Sequence, residues 1–165
     1  MKLDAIDISI LKELQVNARI SNIELAERVG LSASACSRRL DQLEKSGTIE
    51  GYQAVISNEI LGQTVTAIIH ITLSGQSEAH LAEFEAAVRK CPHVVACFLM
   101  SGEFDYLLRI SARDMIEFED IHKNWLSAMP GVVRIQSSFG MRTVVVRPNI
   151  DVTMFQKNKS KAKSQ

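Results

Sequence analysis

The residues of this sequence with the clearest chemical potential lie between Ile20 and Glu50, where small hydroxyl side chains and arginines share one stretch. A helix turns about 100° per residue, so Ser34, Ser37 and Arg38 lie together on one side of it. Small hydroxyls allow a helix to enter the major groove closely, and an arginine can bind a guanine edge or a phosphate. We therefore predict a DNA-contacting surface that consists of Ser32, Ser34, Ser37, Arg38 and Arg39. Arg39 lies on its flank, towards backbone phosphate.

Two short helices and a tight turn position this surface. Ser21 and Glu24 have the spacing of a capping box, which begins the first helix. Gly30 can adopt the left-handed conformation that ends it, and Ser32 follows as the cap of the second helix. The second helix has an apolar face for a core, at Cys36, Leu40 and Leu43. So short a turn makes the helices cross steeply, which predicts a helix-turn-helix. A solvated helix face is the alternative interpretation, and the paired caps strengthen DNA reading while leaving both open.

The flanking segments complete a small domain over residues 1–56. Asp4 and Asp7 open a first helix whose apolar residues recur at helical spacing, at Ile6, Ile10, Leu11 and Leu14. This helix can cover the helix-turn-helix pair. Two short β-like segments, Thr48–Glu50 and Gln53–Ile56, predict a wing after the pair. The domain is therefore interpreted as a winged helix-turn-helix.

A connector over residues 57–63 leads to a second domain over residues 64–150. Thr64–Leu73 alternates with a period of two, as a strand does. A helix follows, with inward positions at Leu81, Phe84 and Val88. The order of strand and helix is then repeated, because Cys91-Pro92-His93-Val94-Val95 is echoed by Met129-Pro130-Gly131-Val132-Val133.

The second repeat runs from a strand at Phe104–Ile110 through a helix opened by Asp114 and Glu117. It ends in a strand at Val132–Phe139, and the inward helix positions are Phe118, Ile121 and Trp125. Two consecutive βαβ units predict a ferredoxin-like sandwich. The predicted fold class is thus α+β, an N-terminal winged helix-turn-helix followed by a ferredoxin-like βαββαβ domain. Helices on one face of the sheet leave the other face bare, and its apolar content predicts a homodimer.

The composition is that of a globular protein with local positive charge. The chain has 165 residues, 46% of them hydrophobic, and 19 Lys and Arg balance 19 Asp and Glu. No apolar run is long enough to span a bilayer and residues 1–10 show no signal-peptide pattern, so we expect a cytoplasmic, nucleoid-associated protein. Residues 151–165 predict a basic, disordered tail with lysines at Lys157, Lys159, Lys161 and Lys163. The tail is either an auxiliary DNA arm or, as we favour, a solubilising end.

The cysteines and histidines form no recognisable catalytic or metal-binding pattern. Cys36, Cys91 and Cys97 lack paired spacing, which indicates core residues instead of a disulfide or a zinc site. The four histidines, His70, His80, His93 and His122, have no evident nucleophile or metal partner. His70 is interpreted as a strand residue at a packed or oligomeric surface. We therefore expect no enzymatic activity, no metal and no cofactor.

The order of these parts resembles the leucine-responsive/asparagine-responsive (Lrp/AsnC) family of bacterial and archaeal transcription regulators. The resemblance reaches to about residue 150 and is most specific in DAIDISILKELQVNARISNIELAERVGLSASAC, GTIEGYQAVI and MSGEFDYLLRI. It implies a sequence-specific DNA-binding transcription regulator whose operator binding or assembly responds to a small amino acid, with a leucine- or methionine-like effector as a guess. It also implies octamers built from four dimers. Ala33 and Ala35 stand where the family commonly has prolines, and Asp41 and Gln42 where it often has arginines.

The resemblance gives a meaning to the loop Met100–Asp105. In the family this loop helps to bind an α-amino acid, and it implies an effector site that consists of Met100, Gly102, Phe104, Asp105, Gln136 and Ser138. The chemistry is compatible, since Gly102 lets backbone amides approach a carboxylate and Asp105 can receive an α-ammonium. From the residues alone, a plain hairpin turn is the favoured interpretation, and the resemblance reverses that preference.

Two other functions stay open at this point. An architectural protein would bind DNA without an effector. Siroheme decarboxylases resemble the same two-domain arrangement, so the architecture alone does not exclude catalysis. A ligand that binds the native state stabilises it. A rise in thermal stability with an added amino acid would therefore indicate a sensor, and no rise would indicate an architectural protein.

Overall fold

The structure, a computed structural model, describes residues 3–146 and Val152. It divides into two compact units. The first contains the described residues up to Val55 together with Val145, Val146 and Val152, and the second is Ile56–Val144. The predicted tail at 151–165 lies outside the described residues apart from Val152. No helix in the described part is long and apolar enough to cross a membrane.

Three helices form the first unit. They are α1 (Ala5–Val16), α2 (Asn22–Val29) and α3 (Ala33–Lys45). The core between them contains Ile10, Leu11, Leu25, Ala26, Cys36 and Leu43. The predicted core face of α3 is therefore confirmed, with Leu40 packed at its edge.

Local caps define where these helices begin and end. Asp4 and Asp7 open α1 as predicted and form a capping box, in which each carboxylate accepts the other residue's backbone N–H. Gly30 has a φ of +70°, and its N–H is bonded to carbonyls of α2. Ser32 Oγ accepts the Ala35 N–H at 3.3 Å. The turn between α2 and α3 thus forms as predicted.

Two predictions in this unit were wrong in detail. Ser21 Oγ accepts the Glu24 N–H at 3.2 Å, but the Glu24 carboxylate bonds Arg28 at 2.7 Å instead of returning to the Ser21 amide. The predicted wing segments contain no strand. A two-residue hairpin needs a positive φ at its first central position, and Gly51 does not have one. The hydroxyl of Tyr52 instead donates to Glu44 at 2.7 Å.

The second unit is the predicted βαββαβ sandwich. Its elements are β1 (Val65–Leu73), α4 (Glu78–Val88), β2 (Val94–Leu99), β3 (Tyr106–Ala112), α5 (Met115–Ile121) and β4 (Val132–Phe139). The strands form one antiparallel sheet in the order β2-β3-β1-β4. Both helices pack on one face, where the largest buried side chains include Phe84, Tyr106, Leu108 and Ile121.

Two elements differ from the sequence-based expectation. The strand predicted at Phe104–Ile110 begins two residues later, because the Asp105 carboxylate and amide are bonded to the end of β1. The helix after Asp114 passes into a π-helical turn at His122–Leu126. A π-helix has about one more residue per turn than an α-helix, which shifts the position that faces the core. Leu126 is therefore fully buried, whereas Trp125 packs only partly against the core.

The other side of the sheet carries no helix. We define the open face as the side chains that alternate with the core on all four strands: Thr66, Ile68, His70, Thr72, Ala96, Phe98, Leu107, Arg109, Ser111, Arg134, Gln136 and Ser138. Ile68 and Leu107 lie near its centre, and Phe98, opposite Leu107, is 57% exposed. The described strands place no acidic side chain on this face.

Candidate functional site

The DNA-contacting surface predicted on α3 is solvent-exposed. Ser32, Ser34, Ser37 and Arg38 are all exposed. Ser32 Oγ serves the helix cap and lies 3.2 Å from Ser34 Oγ, so these two hydroxyls are partly engaged. Ser37 and Arg38 have no side-chain partner within the described part of the chain. The structure therefore brings four of the five predicted residues together on a free surface.

Polar contacts connect α2 to both of the other helices. The side-chain amide of Asn22 on α2 donates to the Ala33 carbonyl at 2.9 Å, which ties the start of α3 to α2. Arg28 bonds Glu13 on α1 at 2.9 Å and Glu24 on α2 at 2.7 Å. Hydrogen bonds from Arg28 to these carboxylates raise the pKa of its guanidinium. The three helices are thus joined by charged and neutral contacts as well as by the core.

Arg39 differs from its neighbour Arg38. Its Nη1 donates to Asp4 Oδ2 at 2.8 Å and to Asp7 Oδ1 at 2.7 Å, and its side chain is only 28% exposed. The hydrogen bond to Asp7, and then the one to Asp4, raises the pKa of Arg39. The Asp7 N–H, followed by Arg39, holds the pKa of Asp4 below its usual value. The structure therefore places Arg39 inside the unit's own ion pairs.

The loop Met100–Asp105, which we call the effector loop, connects β2 to β3 in the second unit. The Met100 N–H donates to the Asp105 carbonyl at 2.8 Å and closes the loop at its base. Residues 101–103 at the tip are exposed. A Cβ at Gly102 would meet nothing within 4 Å, so the tip is open to an approaching molecule.

The carboxylate of Asp105 is occupied by internal contacts. Asp105 is 6% exposed, its Oδ2 accepts the Leu73 N–H at 2.6 Å and its Oδ1 accepts the Gln76 side-chain amide at 2.6 Å. It therefore ties the effector loop to the end of β1 and to the segment before α4. Gln76 gave no signal in the sequence, because its contact spans 29 residues.

The other side chains predicted for the effector site, Phe104, Gln136 and Ser138, lie on or against the open face. The ring of Phe104 stacks on His70 with 4.3 Å between centroids. His70 pairs across the sheet with Gln136, and Ile68 pairs with Ser138. The sequence predicted His70 at a packed or oligomeric surface of the strand but did not include it in the effector site; its Nδ1 is buried without a hydrogen-bond partner in the described chain. The effector loop is thus continuous with the open face through His70.

The cysteines behave as apolar core side chains. Cys36 and Cys91 are buried, Cys97 is partly buried, and all three thiols are free. Burial raises the pKa of Cys36 and Cys91, and burial followed by the charge of Glu85 raises the pKa of Cys97 to about 11. The described residues include no group of three His, Cys, Asp or Glu side chains placed to hold a metal.

The helix-turn-helix of the first unit and the sandwich of the second are together typical of one class of protein, the DNA-binding regulators that have a separate ligand-binding domain. Residues 3–50 match the family description "Winged helix-turn-helix DNA-binding", and residues 66–150 match "Lrp/AsnC ligand binding domain". The chain therefore belongs to the Lrp/AsnC family of transcription regulators.

Individual relatives agree with this assignment. The leucine-responsive regulatory protein of Haemophilus influenzae is 41% identical over 153 residues, which cover 93% of this chain and 89% of that protein. The Bkd operon transcriptional regulator of Pseudomonas aeruginosa is 36% identical over 146 residues, or 88% of this chain and 95% of that protein. A transcriptional regulator from Neisseria meningitidis, solved as a complex with L-Met, has a TM-score of 0.87 at 38% identity and covers 93% of this chain and 99% of that one.

Proposed function

We propose that this protein binds operator DNA through the exposed face of α3 and changes its binding or assembly when an α-amino acid occupies the effector loop. The observation that carries the DNA-binding part is the free pair Ser37 and Arg38 on a capped helix whose other face is core. Ser32 and Ser34 extend the surface towards the helix start. A regulator of this kind acts on the chromosome, in the cytoplasm.

The proposed effector is a small amino acid with an apolar side chain, leucine- or methionine-like. The names of the relatives support this class, since several are leucine-responsive and one was solved with L-Met. A Cβ at Gly102 would meet nothing within 4 Å, which leaves room for a carboxylate beside the backbone there. Each carboxylate oxygen can accept more than one hydrogen bond, so Asp105 can receive an α-ammonium while it keeps its internal contacts.

We further propose that the open face binds a second copy of the chain. Ile68 and Leu107 place apolar side chains near its centre, and polar residues, Gln136 and Ser138 among them, share the face. A two-fold dimer presents two copies of α3 to paired half-sites, and four dimers form the octamer that the resemblance implies. The domain boundaries that go with this proposal are 1–56, 57–63 and 64–150. We propose no catalytic activity and no cofactor, in keeping with relatives that are transcription regulators.

A thermal-shift screen against the twenty amino acids tests the effector. We expect one or a few apolar amino acids to raise the melting temperature, because a ligand of the native state stabilises it by mass action. Elution volume, recorded for each hit, reports assembly. DNA affinity is then measured with and without the hit, on a duplex selected by the protein from a random-sequence pool.

Asp105→Ala provides the variant for this screen, and Asp114→Ala is the control because it removes a helix-capping carboxylate elsewhere in the same unit. The Asp105 variant is expected to lose the ligand-induced shift and to retain its elution volume, whereas the control keeps both. If no amino acid shifts wild-type protein at millimolar concentration while the DNA affinity is high, an effector-independent architectural protein replaces the proposal.

A further inference from the structure

Arg39 shares its two acidic partners with the start of α1. Its Nη1 bonds a carboxylate oxygen of Asp4 and one of Asp7, which lie 35 and 32 residues away in the sequence. The Asp7 side chain is 10% exposed, whereas Asp4 is 49% exposed. One guanidinium nitrogen thus joins the middle of α3 to the first turn of α1.

The two acids divide their oxygens in the same way. Asp4 accepts the Asp7 N–H at Oδ1 and Arg39 at Oδ2. Asp7 accepts the Asp4 N–H at Oδ2 and Arg39 at Oδ1. The capping box therefore holds both carboxylates in place before Arg39 binds them. Such prior organisation reduces the side-chain entropy that an exposed ion pair normally loses.

Arg38 and Arg39 consequently face different surroundings. Adjacent helix residues are turned by about 100°, so one arginine can meet α1 while the next projects into solvent. The ion pairs of Arg39 oppose rotation of α3 about its axis, and that rotation would carry Ser34, Ser37 and Arg38 away from their present direction. Arg39 also neutralises part of the negative charge of two carboxylates beside the DNA-reading helix.

We propose that Arg39 is a positioning residue for DNA recognition, which sets the orientation of α3 by binding Asp4 and Asp7, and that it does not hold a DNA phosphate. This inference rests on the DNA-reading role proposed for α3. It replaces the sequence-based expectation that Arg39 faces phosphate from the flank of the helix. The residue acts through Asp7, the more buried of the two acids.

Salt-dependent DNA affinity distinguishes the two roles. Wild type, Arg38→Ala, Arg39→Ala, Asp7→Asn and the double variant Arg39→Ala/Asp7→Asn are titrated with the selected duplex at several salt concentrations. Each phosphate contact contributes about −0.9 to the slope of log K against log salt, so losing one makes the slope less steep by about 0.9. We expect Arg39→Ala to weaken binding several-fold with an unchanged slope, and the double variant to bind no more weakly than Arg39→Ala alone.

Asp7→Asn distinguishes the positioning role of Arg39 from phosphate binding most clearly, because the variant keeps Arg39 itself. Removing an acid normally strengthens binding to a polyanion, and a freed Arg39 would add to that effect if it held phosphate. We expect weaker binding, because Arg39 loses the more buried of its two acidic partners and keeps only Asp4. Arg28→Ala is the matched control, since Arg28 also bridges two acids in this unit but lies on α2. It should leave DNA affinity unchanged.

Three results would overturn the proposal. The first is a less steep dependence of log K on log salt in Arg39→Ala, and the second is tighter DNA binding by Asp7→Asn. The third is a loss of DNA affinity in Arg28→Ala as large as that in Arg39→Ala, which would indicate general destabilisation. Far-UV circular dichroism monitors the helices, and if Arg39→Ala is unfolded, Asp7→Asn decides the question. Arg38→Ala tests the reading face itself. Unchanged affinity in that variant would count against the proposed DNA surface but would leave the comparison of Arg39 with Asp7 intact.

Discussion

Asp4, Asp7 and Asp105 bind their surroundings in a common pattern. In each carboxylate one oxygen accepts a backbone N–H and the other accepts a side-chain N–H. The side chain is that of Arg39 for Asp4 and Asp7, and that of Gln76 for Asp105. Asp7 and Asp105 are buried, and a buried carboxylate is costly unless its oxygens are bonded. Each of these acids therefore fixes the position of a segment that belongs to a proposed site.

The two tyrosines provide a prediction at this scale. Burial, together with a hydrogen bond to Glu44, raises the pKa of Tyr52 to about 12. Burial and a hydrogen bond to Glu85 raise the pKa of Tyr106 as well. A raised pKa means that the protonated hydroxyl stabilises the fold below the unfolded value of about 10, and that this contribution is lost as the pH rises through the folded value.

Ultraviolet absorbance of tyrosinate measures this titration directly, because the chain has only two tyrosines. We expect little ionisation of the native protein at pH 10 and half-ionisation near pH 10 in urea, as model compounds show. Tyr52→Phe should leave only the signal of Tyr106. A native titration that coincides with the urea titration would mean that neither hydroxyl keeps its carboxylate partner in solution.

Helices and strands that depend on local signals were predicted well. The caps at Asp4, Ser21 and Ser32 form from residues three apart, so the sequence contains what they need. The wing was not predictable in this way, since pairing two segments requires a specific backbone turn at Gly51 that does not form. Partners distant in sequence, such as Arg39 with Asp7, leave no periodic signal.

Substitution of Gly30 tests the turn that connects α2 to α3. Its φ of +70° favours glycine, although a Cβ there would meet nothing within 4 Å. Gly30→Ala should lower the free energy of unfolding by about 1–2 kcal/mol, from backbone strain alone. Gly51→Ala is the control, because Gly51 is equally unobstructed and lacks a positive φ. Urea unfolding followed by circular dichroism compares them, and equal stabilities would argue against the left-handed turn.

The open face is the proposed dimer interface, and its composition predicts the effect of an added charge. Leu107 lies at its centre, opposite His70 on one side and Phe98 on the other. The charged side chains that the described strands place on this face are Arg109 and Arg134. An added cation would therefore find no acidic partner there, and burying it unpaired against a second copy would be costly.

Leu107→Lys should accordingly weaken dimerisation by about a hundredfold or more. Ile116→Lys is the control, because Ile116 is 80% exposed on α5, away from the open face. Sedimentation equilibrium measures the dissociation constant of each variant. A Leu107→Lys protein that associates as tightly as wild type would exclude the open face as the dimer interface.

Phe104 belongs to the effector loop, yet its ring lies on His70 of the open face. A molecule that displaces Phe104 would change the surface available to a second copy, and association of copies would change the affinity for that molecule by the same factor. Sensitivity to the effector then depends on how much of the regulator is present. A cell could adjust the nutrient level to which its genes respond simply by altering the abundance of this protein.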